Sequence, residues 1–219
     1  MRYTTALFDL DGTITDSGTG IMNSIRYALR KYDLPVPSDE VLRTFVGPPL
    51  QEQFQAVCGL TEEEGRRMVQ AYREYYRDRG IFENSVYDGI PETLKALKNH
   101  GVRILMATSK PEEFAKRIAD HFGFAQYFDY IGGACMDGKR TDKHEVIEYV
   151  LKTCGITAAE RAQTIMIGDR SHDIIGAKKA GLHSLGVLYG YGGREELEEA
   201  GADHIVRTAE EIVGVMISE

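Results

Sequence analysis

A short, mostly apolar or β-branched stretch, Tyr3-Thr4-Thr5-Ala6-Leu7-Phe8, runs directly into Asp9-Leu10-Asp11-Gly12-Thr13. The first part reads as a buried strand of a parallel sheet. Gly12 and Thr13 signal a turn. Two carboxylates therefore leave the carboxyl end of one strand, two residues apart. In open α/β sheets, ligands collect at that edge. At roughly 5–7% usage per residue, chance supplies D-x-D-G-T about once per 10⁵ start points. This chain offers 219 starts, so an accidental turn is the weaker explanation.

The spacing carries chemistry. Two acids at ~4 Å repel by about 4 kcal/mol at an effective dielectric near 20, and a dianionic substrate adds to this. Such a cluster calls for a divalent cation or for a raised pKa on one acid. An all-oxygen donor set suits Mg²⁺, which often sits beside phosphate. One carboxylate can attack phosphorus and form an aspartyl-phosphate. The other can carry a proton to the leaving oxygen.

Downstream of Thr15 the pattern turns helical. Ile21, Ile25, Ala28, Leu29 and Tyr32 recur at helical spacing. Ser38 caps a short helix, Gly47-Pro48-Pro49 is a rigid turn, and Thr61-Glu62-Glu63-Glu64 opens another helix. From Tyr87 strands and helices alternate, with strands at 102–107, 130–131, 164–167, 184–188 and 204–206. Alternation of this kind implies a parallel sheet covered on both faces. The expected fold class is α/β, a Rossmann-like parallel sheet core with an inserted all-helical cap. The core takes 1–14 and 86–219, and the cap 15–85. An insertion directly after the first strand can lie over the site, exclude water and select the substrate.

Three further stations follow strands or precede helices. Thr108-Ser109-Lys110-Pro111 ends the strand at 102–107, where a hydroxyl and backbone N–H groups can hold phosphate oxygens. Lys143 stands at a helix start, with Lys139 and Arg140 as competing cations. Gly168-Asp169-Arg170-Ser171-His172-Asp173 follows the strand at 164–167 and brings two more acids to the edge that holds Asp9.

These four stations, in this order, resemble the four motifs of the haloacid dehalogenase superfamily, and the helical insertion resembles its phosphoglycolate phosphatase-like branch. The resemblance implies roles. Asp9 is the nucleophile and Asp11 the acid and base. Thr108, Ser109 and Lys143 bind the transferring phosphoryl group. Mg²⁺ is held by Asp9, Asp169 and the backbone carbonyl of Asp11, and Asp173 acts directly or through a bound water. Ser109 stands where many relatives carry Asn, and His144-Glu145-Val146 replaces a proline-rich stretch common in phosphoglycolate phosphatases.

The implied activity is hydrolysis of a small phosphorylated metabolite, phosphoglycolate-like or a nucleoside monophosphate. A sugar phosphomutase of the same superfamily would share the stations. A non-enzymatic phospho-receiver or phosphate-sensing module also pairs acids with Thr and Lys, but is shorter and has no helical cap. A net charge of −8 without a long basic run argues against nucleic acid and anionic membranes as partners. Cys58, Cys135 and Cys154 form no CxxC pair, as expected for free thiols in a reducing compartment. With no apolar signal and no run near the ~20 residues of a membrane span, the expectation is a cytoplasmic monomer or homodimer.

Overall fold

The computed structural model describes residues 2–136 and 140–218. The chain divides into two compact units, Met1–Thr15 with Val86–Glu219, and Asp16–Ser85. The first unit opens with β1 (Thr5–Phe8). The chain leaves it through β2 (Thr15–Asp16) and returns through β3 (Ser85–Val86), and these two short strands pair with each other.

The second unit holds α1 (Gly18–Lys31), α2 (Asp39–Arg43), α3 (Leu50–Cys58) and α4 (Glu62–Tyr75), followed by one π-helical turn at Tyr76–Gly80. Local signals set its helix starts. Asp16 Oδ1 accepts from the Gly18 N–H, the Ser38 hydroxyl accepts from Val41, and Thr61 forms a reciprocal capping box with Glu64. The π turn packs closely on α1, since a Cβ on Gly20 would lie 1.9 Å from the Gly80 carbonyl oxygen.

The first unit continues through α5 (Ile90–Asn99), β4 (Arg103–Pro111), α6 (Glu112–His121), β5 (Tyr130–Ala134), α7 (Lys143–Thr153), α8 (Ala158–Arg161) and β6 (Thr164–Gly168). It closes with α9 (Ser171–Lys179), β7 (His183–Val187), α10 (Arg194–Ala200), β8 (His204–Val206) and α11 (Ala209–Ile217). The six strands lie in the order β5-β4-β1-β6-β7-β8, and every pair is parallel. The chain winds from β1 to β4 and β5 in one direction, then from β6 to β7 and β8 in the other. This reversal opens a crevice at the carboxyl edge. Phe8 is level with Met106 on β4 and Ile167 on β6, so Asp9 emerges between the ends of two neighbours.

All four residues of β1 and all five of β6 are buried, as expected of strands covered on both faces. On one face Leu7, Leu105 and Met166 pack with Val146, Ile147 and Val150 of α7 and Ala177 of α9. That packing sets where the first turn of α7, and with it Lys143, meets the sheet edge.

Two strands run further than their apolar runs suggest. β4 extends through Thr-Ser-Lys to Pro111, with an irregularity in its pairing to β5 between Thr108 and Pro111. Proline restricts the residue before it to extended backbone, so Thr108–Lys110 continue the strand and do not cap the next helix. β5 continues through Gly132 and Gly133 to Ala134. Glycine is depleted in strands, but here neighbours fill its space. A Cβ on Gly132 would lie 2.4 Å from Val150 Cγ2, and one on Gly133 would lie 2.5 Å from the Lys110 carbonyl oxygen. Gly132→Ala is expected to cost about 1–3 kcal/mol by overpacking. Combined with Val150→Ala, the double variant should be more stable than the sum of the single effects by about 0.5–3 kcal/mol. Urea unfolding of the four proteins measures this, and strict additivity would refute the contact.

Candidate active site

Asp9 continues β1, and its N–H donates to the Ile167 carbonyl at 2.9 Å. Gly12 turns the chain with φ +83°, and its N–H donates to the Thr15 carbonyl at 2.8 Å. Glycine is required there twice over. The backbone is left-handed, and a Cβ would lie 2.2 Å from Asp169 Oδ2. Gly168 is constrained in the same way from the other side, since a Cβ there would lie 2.3 Å from the Asp173 carboxyl carbon. The glycines of both acidic motifs therefore leave room for carboxylates.

Lys143 opens α7, whose cap is Asp142, accepting from the His144 N–H at 2.9 Å. Its ammonium lies 2.8 Å from Asp9 Oδ1 and 2.8 Å from Asp173 Oδ1, and donates to the Ala107 carbonyl at 3.2 Å. The side chain is 2% exposed, so these charges interact with little screening by water. Burial alone would lower the lysine pKa, but Asp173 and Asp9 outweigh it and raise it. Burial would likewise raise Asp173, but the charges of Lys143 and then His172 hold it below the usual carboxylate range. Asp173 also accepts from the Arg170 N–H at 3.1 Å, so one side chain caps α9 and pairs with Lys143.

Of the competing cations, Lys139 lies outside the described residues. Arg140 turns elsewhere, with its guanidinium 3.5 Å from the Tyr149 ring centroid and its Nε donating to the Gly133 carbonyl. Thr108 is buried at the end of the apolar part of β4, and its hydroxyl accepts from the Lys110 N–H at 3.2 Å. Ser109 is half-buried beside it. Sequence reasoning missed Lys110, whose Nζ lies 2.8 Å from Asp11 Oδ2 with only 6% of its side chain exposed. The signal available was Pro111, which keeps Lys110 extended along the strand that neighbours β1.

Asp169 is fully buried and lacks a lysine partner among the described residues. Its Oδ1 accepts from the Thr13 hydroxyl at 3.3 Å and its Oδ2 from the Tyr191 N–H at 2.7 Å. Burial, then the charges of Asp173 and Asp9, push its pKa up to about 8. His172, half-buried on the first turn of α9, can present a ring nitrogen with one oxygen each of Asp9 and Asp173, all within 4.8 Å of one another.

The carboxylate oxygens at this edge suit a hard divalent cation, although the close cluster among the described residues is Asp9, His172 and Asp173 and includes neither Asp11 nor Asp169. Asp11 Oδ1 is buried without a hydrogen-bond donor among the described residues, and Asp169 needs a neighbouring positive charge to ionise at neutral pH. Asp9, Asp11 and Asp169 are the residues that could hold such an ion.

The chain matches the family model for haloacid dehalogenase-like hydrolases over residues 6–187. It belongs to that family. Among curated relatives of this hydrolase is a 5'-nucleotidase from Pseudomonas aeruginosa, 45% identical, with 90% of this chain and 88% of that protein covered. The tyrosine-protein kinase PtkA of Mycobacterium tuberculosis is 41% identical, with 93% of this chain and 68% of the kinase covered. Among solved structures, a predicted phosphatase from Clostridium acetobutylicum superposes with TM-score 0.91 at 44% identity, over 99% of each chain. Family membership brings phosphatase chemistry on small phosphorylated substrates. No helix among the described residues is long and apolar enough to cross a membrane.

The raised Asp169 pKa makes stability depend on pH in the cation-free hydrolase. An unfolded Asp loses its proton near ~3.9, whereas the folded chain keeps it up to about 8. Between these values folding takes up a proton, so stability falls as pH rises and levels off above about 8. Burial lowers the pKa of His204, which acts in the opposite sense, but only below about 6.5. In EDTA the urea midpoint is therefore expected to fall between about pH 6.5 and 8. Asp169→Asn should lack this fall, and a parent midpoint that is flat across the window would contradict the shift.

Proposed function

We propose that this hydrolase cleaves small phosphomonoesters, nucleoside 5'-monophosphates first among them, with Asp9 as nucleophile and Mg²⁺ as cofactor. The observation that carries the reading is the buried Asp9–Lys143–Asp173 arrangement at the carboxyl edge of the sheet. It holds one Asp9 oxygen against a fixed cation. The nucleotidase relative supports the substrate class, and phosphoglycolate-like esters are the other candidates.

The steps follow from the side chains. An Asp9 oxygen attacks phosphorus in line, and the bond from phosphorus to the leaving oxygen breaks. Asp11 gives that oxygen a proton. Asp11 then takes a proton from a water that attacks the aspartyl-phosphate, releasing phosphate and restoring Asp9. Thr108 and Lys143 hold the phosphoryl oxygens as charge shifts among them, with Ser109 beside Thr108. Lys110 holds the Asp11 carboxylate in one orientation. Bound by Asp9, Asp169 and the Asp11 main-chain carbonyl, Mg²⁺ would offset the charge of the carboxylates and the phosphoryl group.

A panel of phosphorylated metabolites, read by phosphate release, tests the class. Activity should vanish in EDTA and return with Mg²⁺, and full turnover in metal-free buffer would sink the proposal. Asp9→Asn should abolish turnover while the fold persists. A phosphorylated organic product in place of free phosphate would indicate a mutase, and a lasting acyl-phosphate without turnover a receiver. Transfer to a tyrosine hydroxyl instead of water would align this chain with the kinase relative.

Lys110→Met separates orientation from attack. Alkyl phosphates need the proton from Asp11, whereas p-nitrophenyl phosphate has a good leaving group. The variant should lose up to about 10²-fold in kcat on the former and only several-fold on the latter. Equal losses would place Lys110 outside the proton-transfer step.

A further inference from the structure

Gly190-Tyr191-Gly192-Gly193 reads in the sequence as part of the rim of the site or, more simply, as an ordinary flexible loop. Its surroundings are those of a clamp. Neither Gly190 nor Gly192 has positive φ, so backbone freedom does not explain them. A Cβ on Gly190 would lie 2.2 Å from the Gly12 carbonyl oxygen, 2.4 Å from Asp169 Cβ and 2.6 Å from Asp169 Oδ2. A Cβ on Gly192 would lie 1.9 Å from the Asp169 carbonyl oxygen. Gly193, one residue on, has nothing within 4 Å. The requirement for glycine therefore stops where the contact with Asp169 stops.

The polar contacts converge on the same residue. The Tyr191 N–H donates to Asp169 Oδ2. The Tyr189 hydroxyl donates to the Thr13 carbonyl at 2.9 Å, and the Thr13 hydroxyl donates to Asp169 Oδ1. Tyr189 is itself braced by Tyr87, ring centroids 5.0 Å apart. On the far side Glu196 of α10 accepts from Arg170 Nε at 2.9 Å and from the Ser171 N–H at 2.8 Å, fixing the two residues after Asp169.

We propose that the loop from Tyr189 to Gly192 is the positioning element of the cation site, holding Asp169 Oδ2 directly through the Tyr191 N–H and Oδ1 by way of Thr13, so that the carboxylate presents one fixed ligand geometry. This rests on the reading of Asp169 as a cation ligand. Among the described residues each carboxylate oxygen accepts one hydrogen bond, which leaves lone pairs for an ion. A backbone N–H donor cannot swing away as a side chain can. The glycines are the space in which the carboxylate sits. Tyr189 and Gly190 touch no reacting atom: Tyr189 reaches Asp169 through Thr13, and Gly190 borders both Asp169 and the Gly12 carbonyl.

Mn²⁺ binding to the full chain, followed by electron paramagnetic resonance, tests this without turnover. Outer-shell changes typically cost 10–100-fold in metal affinity. Gly190→Ala should weaken Mn²⁺ binding by about that factor, and Tyr189→Phe by several-fold within the same range. Gly193→Ala should bind as the parent does. Circular dichroism establishes that each variant is folded, and if Gly190→Ala is not, Tyr189→Phe decides. Parental affinity in folded Tyr189→Phe and Gly190→Ala overturns the clamp, as does an equal loss in Gly193→Ala. Equal Mn²⁺ binding by the parent and Asp169→Asn instead removes the ligand reading beneath it, a distinguishable failure that takes the clamp with it.

Discussion

The ammonium of Lys143, 2.8 Å from both Asp9 and Asp173, is the contact on which the site's architecture depends. Three charges taken out of water are costly unless each faces an opposite charge at close range. That condition fixes more than the three side chains. α7 must begin where its first turn reaches the sheet edge, and Val146, Ile147 and Val150 hold it there against Leu7, Leu105 and Met166. Gly168 must be bare because the Asp173 carboxyl lies over it, and Gly176 of α9 lets the Lys143 stem pass, since a Cβ there would lie 3.0 Å from its Cγ. Core packing and charge pairing thus specify the same helix position.

Much of this was legible in the sequence because it is local. A strand that ends in carboxylates announces itself by an apolar run, two acids and a glycine, and such a run appears before Asp9 and again before Asp169. Lys143 was legible because a helix begins at it, as α7 does. The parallel sheet was legible from the alternation of elements, and it stands in six strands. The family resemblance read from the four stations is the family that the chain matches over 6–187.

What was not legible depends on contacts made across the fold. Lys110 looks like any surface cation before a proline, and only the pairing of β4 with β1 brings it to Asp11. The glycines at 132, 133, 190 and 192 look like turn or linker residues. Their neighbours come from α7, from the backbone of β4 and from the segment after β6, so the demand for space has no local signature. That Asp169 has no lysine partner among the described residues is of the same kind. Nothing in Gly-Asp-Arg-Ser-His-Asp tells which of its acids receives the lysine.

That division of the two acids gives the site its electrical character. Asp9, Asp11, Asp169 and Asp173 carry four potential negative charges, and Lys110 and Lys143 supply two positive ones within 2.8 Å of three of them. Among the described residues the acid without a lysine partner is Asp169, and it resolves the imbalance by keeping its proton up to about 8. In the proposed reaction a phosphate dianion joins this cluster, and Lys143 faces it while still paired with Asp9 and Asp173. A further cation would offset the added charge, and an ionised Asp169 would give it a ligand. The carboxylate that is uncharged in the cation-free chain would then be that ligand. A proton and a cation would compete for its oxygens, which would link affinity for the cation to pH. The fixed positions of the neighbouring acids set the repulsion that a bound cation relieves.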